Sequence, residues 1–379
     1  MRGRCGVWAA AAVLPRTATA RAFVRYSHTA ADDAVVKSLR PPTLALRDRL
    51  LNGERYALSK AITLIESTRQ DHQQEASRLL SVLLQSQSAR GEQPGRASLD
   101  RRTFRIGLSG PPGVGKSTFI ERFGRMLLEQ GHRVAAVDPS SSRTGGSILG
   151  DKTRMPELSR DERAYIRPSP NRGSLGGVAR NTAEAVMLCE AAGFDICLVE
   201  TVGVGQSEIA VAEMVDMFCL FVPPGGGDEL QGMKKGVVEL ADLVVVTKAD
   251  GDLLPAARVA QQEYTSALKF VQPRISEWRP RVTRASAKSD EDMVRVWEMM
   301  SQYRDAIVET GRLEKVRASQ RTQWMWREVS AKLMQRLQED NAVQIQAKQL
   351  GPRVADGHIA WGDAAERLIQ SFLKHGGRS

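Results

Sequence analysis

The sequence predicts a doubly wound α/β domain with a mostly parallel sheet, flanked by helical segments on both sides. Three observations predict it. Short apolar runs recur between residues 104 and 285, and helix-like segments separate several of them. Before and after this stretch the apolar residues take helical spacing instead. Continuous apolar strands alternating with helices imply a sheet covered on both faces.

Taken in chain order, residues 1–31 hold Arg2, Arg4, Arg16, Arg21 and Arg25 and no Asp or Glu; the first acid is Asp32. A leader rich in Arg, Ala, Ser and Thr has the composition of a mitochondrial transit peptide. Arg25-Tyr26-Ser27 resembles a matrix-protease cleavage site. Residues 32–98 read as a helical extension with a linker. Within Leu44 to Leu84, Ala57, Ile62, Leu64 and Ile65 fall on one face. The polar, Gly- and Pro-containing stretch 86–98 reads as the linker.

Residues 99–290 form the expected α/β domain. Strands are expected at 104–109, 134–138, 195–200, 217–222, 243–247 and 282–285, each rich in Val, Ile or Leu and bounded by turn residues. Helices are expected at 117–130, 174–192, 229–240 and 253–271. Residues 291–379 belong to a C-terminal helical region, with segments 289–311, 318–340 and 361–375. It carries Trp297, Trp324, Trp326 and Trp361. Three short helices do not bury these alone, so they are expected to pack on the α/β domain or on a second subunit.

Composition removes several function classes. Of 379 residues, 42% are hydrophobic and 26% charged, which supports a sizeable core. No apolar run approaches the roughly 18–20 residues that span a bilayer, so no membrane role is expected. The net charge of +10 owes half its value to the five leader arginines. A nucleic-acid role needs a concentrated basic face with aromatics, and none is expected here. Cys5, Cys189, Cys197 and Cys219 form no CxxC and no Cys/His cluster, so buried thiols are expected rather than zinc or disulfides.

The chemistry begins after the first strand. Gly110, Pro111, Pro112, Gly113, Val114, Gly115, Lys116 and Ser117, with Thr118 following, fit G-x-x-x-x-G-K-[ST] between a strand and a helix. Its glycines let backbone N–H groups turn in around the β-phosphate, Lys116 places charge on the β/γ oxygens, and Ser117 ligates Mg²⁺. This is the signature of a P-loop NTPase. The run DICLVE then delivers Glu200 to the carboxyl edge of the sheet, where α/β proteins bind ligands. In E-x-x-G the acid holds Mg²⁺ through water, and Gly203 presents an N–H to the γ-phosphate.

The base follows from two later motifs. Thr247-Lys248-Ala249-Asp250 follows a strand. An Asp there accepts from the N1–H and 2-NH₂ of guanine, which adenine lacks, while Lys248 lies along the base. Ser286-Ala287-Lys288 follows another strand and matches the loop whose backbone contacts guanine O6. The ligand is therefore expected to be GTP or GDP. Most GTPases carry Asn at the position of Thr247, a departure expected to weaken nucleotide affinity. In Ras-like switches a glutamine follows the switch glycine. Here that place is Val204, with Gln206 two residues on, so intrinsic hydrolysis is expected to be slow and partner-accelerated.

The segments IGLSGPPGVGKSTF, VDPSSSRTGGSILGDKTRM, RGSLGGVAR, ETVGVGQSE, PPGGGDELQGMKKG, TKADGD and SAK stand in order over residues 104–288. Together they resemble the MeaB/ArgK branch of the G3E-type GTPases. GERYALSKAITLIES upstream and WMW downstream match as well, so the resemblance covers nearly the whole chain after the leader. It implies a mitochondrial-matrix GTPase that gates transfer of adenosylcobalamin to methylmalonyl-CoA mutase and protects or reactivates that enzyme. The cofactor is expected on the partner, since no D-x-H-x-x-G cobalamin signature stands here. A homodimer is implied, with the C-terminal helices as dimerisation arm. By position, Asp138 and Asp151 resemble switch I acids joining Ser117 and Glu200 around Mg²⁺. Asp228, Gln231, Lys234 and Lys235 resemble a third switch that couples nucleotide state to the client. Rivals are a GTPase metallochaperone, an ATPase serving a transporter of basic amino acids, and a module holding nucleotide only structurally. Scattered His and the TKAD and SAK motifs weigh against the first two, and intact Lys116, Ser117 and Glu200 against the third. Another cobalamin-dependent acyl-CoA mutase is an alternative client.

Overall fold

Phe104–Ser109 (β1) is the middle strand of a seven-stranded sheet in the computed structural model, which describes residues 39–91, 103–138, 155–168, 175–201, 206–225 and 235–376. Three helices precede it: α1 (Pro41–Leu51), α2 (Arg55–Ile65) and α3 (Gln70–Gly91). After β1 the chain forms α4 (Lys116–Glu129), β2 (Val134–Asp138), α5 (Pro156–Arg160) and β3 (Ala164–Pro168). Then follow α6 (Leu175–Ala191), β4 (Ile196–Glu200), α7 (Gln206–Ala212), β5 (Met217–Val222), α8 (Lys235–Glu239) and β6 (Leu243–Val246). A 3₁₀ turn (Gly251–Leu253), α9 (Leu254–Leu268) and β7 (Arg281–Arg284) complete the sheet region. The C-terminal helices are α10 (Asp290–Glu309), α11 (Arg312–Glu339), α12 (Asn341–Ala355) and α13 (Trp361–Gly376).

The strand order is β3-β2-β4-β1-β5-β6-β7, and every pair is parallel. β1, β4, β5 and β6 are buried along their whole length, which is why they read as unbroken apolar runs. Alternate residues serve two cores. Cys197, Val199, Phe218, Leu220, Val244 and Val246 face α2, α3, α6, α7 and α9. Phe104, Ile106, Leu108, Leu198, Phe221 and Val245 face α4 and α10. Cys189, Cys197 and Cys219 are buried and unpaired by disulfide. A hydrogen bond with Cys189, then burial, holds the Cys197 thiol well above its ordinary range, and burial does the same for Cys219.

Four elements go beyond the sequence reading, the short helices α5 and α7 among them. β3 was not expected, because AYIRP mixes Arg167 and Pro168 with its apolar residues; as an edge strand it tolerates both. α12 was not expected, because Gly351-Pro352 reads as a break, yet Pro352 lies inside the helix. α3 continues to Gly91, past the expected start of the linker, and α11 begins at Arg312 rather than 318. Residues 1–38 and 92–102 lie outside the described residues, and so do the expected leader and the rest of the linker.

The N-terminal helices join the sheet region directly. Ala57, Leu58, Ala61, Ile62 and Ile65 of α2 are buried in the same core as α6, while Leu64 is half-buried. Ser59 and the Tyr165 hydroxyl are 3.1 Å apart, and Glu66 pairs with Arg167, so α2 also borders the edge strand. At the other end, α10 buries Met293, Val296, Trp297, Met300 and Tyr303. Trp324 is half-buried against the core, whereas Trp326 and Trp361 are 62% and 83% exposed. No helix of the described residues is long and apolar enough to cross a membrane.

At the amino edge of the sheet, away from the loops that follow the strands, four charged side chains interlock. Arg105 pairs with Glu190 at 2.7 Å, and Arg317 of α11 pairs with Asp216 at 2.6 Å and approaches Glu190 at 3.7 Å. Arg317 also donates to the Thr103 carbonyl at 2.6 Å. Burial pushes the Asp216 carboxyl up, but the Arg317 charge and hydrogen bonds outweigh it and hold it below the usual range.

Candidate functional site

β1 and β4 are neighbours in the sheet but not in sequence, so the loops leaving their carboxyl ends meet. The register sets Leu108 beside Glu200. Between β1 and α4 the chain turns through Gly110, Pro111, Pro112, Gly113, Val114 and Gly115. Gly110 has φ +148°, and a Cβ there would lie 2.3 Å from the Phe221 carbonyl oxygen, so only glycine fits. Gly115, at φ +106°, caps the start of α4.

Lys116 is buried and folds back over this turn, its Nζ donating to the Gly110 carbonyl at 2.8 Å and the Pro111 carbonyl at 3.3 Å. The Ser117 hydroxyl donates to Glu200 Oε1 at 3.3 Å. Glu200 is itself buried. Thr118 follows, exposed. A helix N-terminus preceded by a glycine-rich turn, with a buried lysine beside it, has the makings of a cradle for phosphate.

The loop after β6 closes on the same cradle. The Thr247 hydroxyl reaches the Val114 carbonyl at 2.8 Å and the Val222 carbonyl at 3.2 Å. Lys248 has φ 51°, the one positive-φ non-glycine residue among those described. The Asp250 carboxylate accepts from the Ser286 hydroxyl and from Lys288 Nζ, the latter at 2.9 Å. Those two contacts, Ser286 first, hold its carboxyl below the usual range. Ala285 at the end of β7 donates to the Val246 carbonyl at 2.8 Å, which aligns the loop of Ser286, Ala287 and Lys288 with the loop of Asp250. The phosphate loop, Glu200 and both base-side motifs therefore lie at one sheet edge.

Sequence reasoning missed Glu121, one turn beyond Ser117 on α4. Its Oε1 accepts from the amides of Glu157 at 2.8 Å and Leu158 at 3.3 Å, pinning the start of α5 to the phosphate-loop helix. Gly124 makes room for this: a Cβ there would come within 2.9 Å of Leu158. Neither residue belongs to a motif, so nothing local signalled them.

Comparison with known proteins decides the family. The model of the family described as methylmalonyl Co-A mutase-associated GTPase MeaB matches residues 58–342. The chain belongs to the MeaB family of GTPases. A mouse protein named methylmalonic aciduria type A homolog, mitochondrial, is 51% identical over 325 residues, covering 85% of this chain and 78% of its own. The Escherichia coli protein named GTPase ArgK is 44% identical over 291 residues, covering 76% of this chain and 84% of its own. A crystal structure titled LAO/AO transport system kinase superposes with TM-score 0.67 at 32% identity, covering 89% of this chain and 99% of that one. This MeaB-family chain is thus a GTPase on a P-loop fold that binds GTP and GDP.

The remaining expected residues divide by description. Asp138 ends β2 at the nucleotide edge, but its side chain lies outside the described residues, as do those of Gln206 at the start of α7 and Lys235 at the start of α8. Asp151, Gly203, Val204, Asp228, Gln231 and Lys234 lie outside them altogether. A divalent cation can still be tested against what is present. The Ser117 hydroxyl and the buried Glu200 carboxylate converge beside the phosphate cradle, an all-oxygen donor set that suits Mg²⁺.

Proposed function

We propose that this MeaB-family GTPase is a chaperone of methylmalonyl-CoA mutase. In this reading it gates adenosylcobalamin loading onto the mutase and protects or reactivates that enzyme, and the cobalamin is carried by the mutase. The family description, which names the mutase and matches residues 58–342, carries the reading. The names of the mouse and Caenorhabditis elegans relatives, both mitochondrial, support a place in the mitochondrial matrix.

The site residues take the following roles. The amides of Gly113, Gly115 and Lys116, with the Lys116 ammonium, hold the β- and γ-phosphates. Ser117 and Glu200, with Asp138 and Asp151, hold Mg²⁺, which when bound neutralises charge on the β- and γ-oxygens. Asp250 accepts from guanine N1–H and the 2-amino group, Lys248 lies along the base, and Ser286 and Ala287 place amides at O6. Thr247 ties this loop to the phosphate loop. Gly203 presents its amide to the γ-phosphate, where water attacks and GDP leaves. With Val204 where Ras-like proteins have glutamine, positioning of that water falls to a partner or to Gln206, and the unassisted rate is slow. Asp228, Gln231, Lys234 and Lys235 relay the nucleotide state to the client.

The C-terminal arm pairs two copies. Trp326, Val329 and Leu333 on α11 and Trp361, Ile369 and Leu373 on α13 are exposed, and exposed apolar surface of this kind supports an interface. The test is GTP turnover by residues 27–379 alone and with purified methylmalonyl-CoA mutase, with Lys116→Ala as control. A mutase-dependent rise that Lys116→Ala abolishes is expected. Unchanged turnover would remove this client and direct the search to other cobalamin-dependent acyl-CoA mutases.

A further inference from the structure

Two of the sequence motifs find no role in phosphate, metal or base contact: the end of RGSLGGVAR and WMW. They meet along one helix, joined there by Glu213 and Val215, which follow ETVGVGQSE by a few residues. α11 runs antiparallel to α6. Near its start Arg317 lies 3.7 Å from Glu190, late in α6, and further along Glu328 pairs at 3.0 Å with Arg180, early in α6. Between these points Gln320 donates to the Val215 carbonyl at 2.8 Å, Trp324 packs on the core, and Arg327 pairs with Glu213 at the end of α7. α7 itself starts at Gln206, just beyond Glu200 and Thr201 of the nucleotide edge.

The two ends of this contact differ in kind. At the base, the Arg317 and Asp216 side chains are 12% and 0% exposed and belong to a closed network. Higher up, Arg327 and Glu213 are 48% and 32% exposed, and ion pairs in such positions are weak and easily exchanged. Arg180 also serves a second carboxylate, Glu184, at 3.0 Å. Glu184 keeps one buried oxygen without a hydrogen-bond partner, so Arg180 has a competing place to go. Beyond Glu328, α11 continues to Glu339, about 16 Å further at the helical rise, and hands over to α12 and α13. Since α6 starts only five residues before Arg180, α11 overshoots it toward the nucleotide edge.

We propose that α11 is a coupling strut: fixed at its Arg317 base and latched by Arg327–Glu213 and Glu328–Arg180, it transmits the nucleotide state through α6 and α7 to the C-terminal arm. Coupling of this kind is reciprocal, so whatever binds the arm changes the preference for GTP over GDP. The inference needs guanine nucleotide binding only, and stands whether or not the mutase is the client.

The test compares the full chain with Glu213→Arg, Arg327→Glu and the double reversal. Amide exchange over residues 341–376 is measured with GDP and with a non-hydrolysable GTP analogue, alongside both affinities and the melting temperature. In the wild type the exchange rates of the arm are expected to differ at least about fivefold between nucleotides, the low end of ordinary coupling factors. Each single reversal is expected to abolish the difference without unfolding the protein, and the double reversal to restore it. An arm indifferent to nucleotide in the wild type, or a difference that survives both single reversals, overturns the strut. So does a double reversal that folds and binds nucleotide but restores nothing.

Discussion

The Thr247 hydroxyl donates to the Val114 carbonyl at 2.8 Å, so the base loop and the phosphate loop form one hydrogen-bonded unit. Threonine in place of the usual asparagine therefore keeps a link across the site. Thr247→Val keeps the shape and leaves a buried carbonyl short of its partner, a loss worth about 1–3 kcal/mol. GTP and GDP are both expected to bind some tenfold or more weaker in this variant, with Thr247→Ser close to wild type. Titration calorimetry on the three proteins checks it; equal affinities would show that the link is idle.

Asp250→Asn changes the hydrogen-bond code rather than the fold. The amide puts an NH₂ group, a donor, in place of one of the two carboxylate acceptor oxygens, so guanine loses a charge-assisted bond worth about 1.5–3 kcal/mol. The variant is expected to bind GDP at least tenfold weaker and to gain affinity for xanthosine diphosphate, whose C2 carries a carbonyl oxygen in place of the amino group. Competition between the two nucleotides reads the switch directly.

Gly110→Ala is a steric test. The added carbon would meet the Phe221 carbonyl at 2.3 Å, at a φ that alanine rarely adopts. Strain of about 1–3 kcal/mol from the backbone alone, plus displacement of β5, is expected to lower the melting temperature and abolish nucleotide binding together. Gly113→Ala meets no neighbouring atom within 4 Å and carries only the φ penalty. Its melting temperature is expected to fall less, a ranking that differential scanning fluorimetry can read.

The Arg317–Asp216 pair gives the fold a pH signature. Arg317→Met leaves a buried carboxylate without its cation, a change that costs about 3–5 kcal/mol at neutral pH. The Asp216 pKa is depressed in the folded state, so its contribution is present above the unfolded value near 3.9 and fades as pH falls through the lower folded value. The gap between wild type and variant is therefore expected to be widest near neutrality and to narrow below about pH 4. Urea titrations at several pH values would reveal a flat gap if the pair were not the cause.

Most of the candidate site was legible because its motifs are local. In the proposed roles, Gly110 to Ser117 must be contiguous to wrap a phosphate, and Thr247 to Asp250 must follow a strand to face a base. Their meeting was legible only through the α/β rule that ligands sit beyond the carboxyl ends of strands. The fold was readable where strands are buried on both faces, as in β5, and unreadable where they are not, as in β3 with its Arg167 and Pro168. Pro352 hid α12, because proline in a helix reads as a stop. Glu121, Arg105 and Arg317 act across 36, 85 and 101 positions of sequence, and no local pattern announces such partners.

The interlocked charges at the amino edge also bear on the order in which the molecule is made. Asp216 enters the sheet ahead of β5, but its cation arrives about a hundred residues later, on α11. Domains begin to fold as the chain emerges, N-terminal parts first. Here the buried Asp216 carboxylate has only the Arg105 amide and charge to offset it until Arg317 is present. A nascent chain that ends before Arg317 is therefore expected to hold its nucleotide site loosely. The first turns of α11 thereby complete a sheet that began to form about two hundred residues earlier.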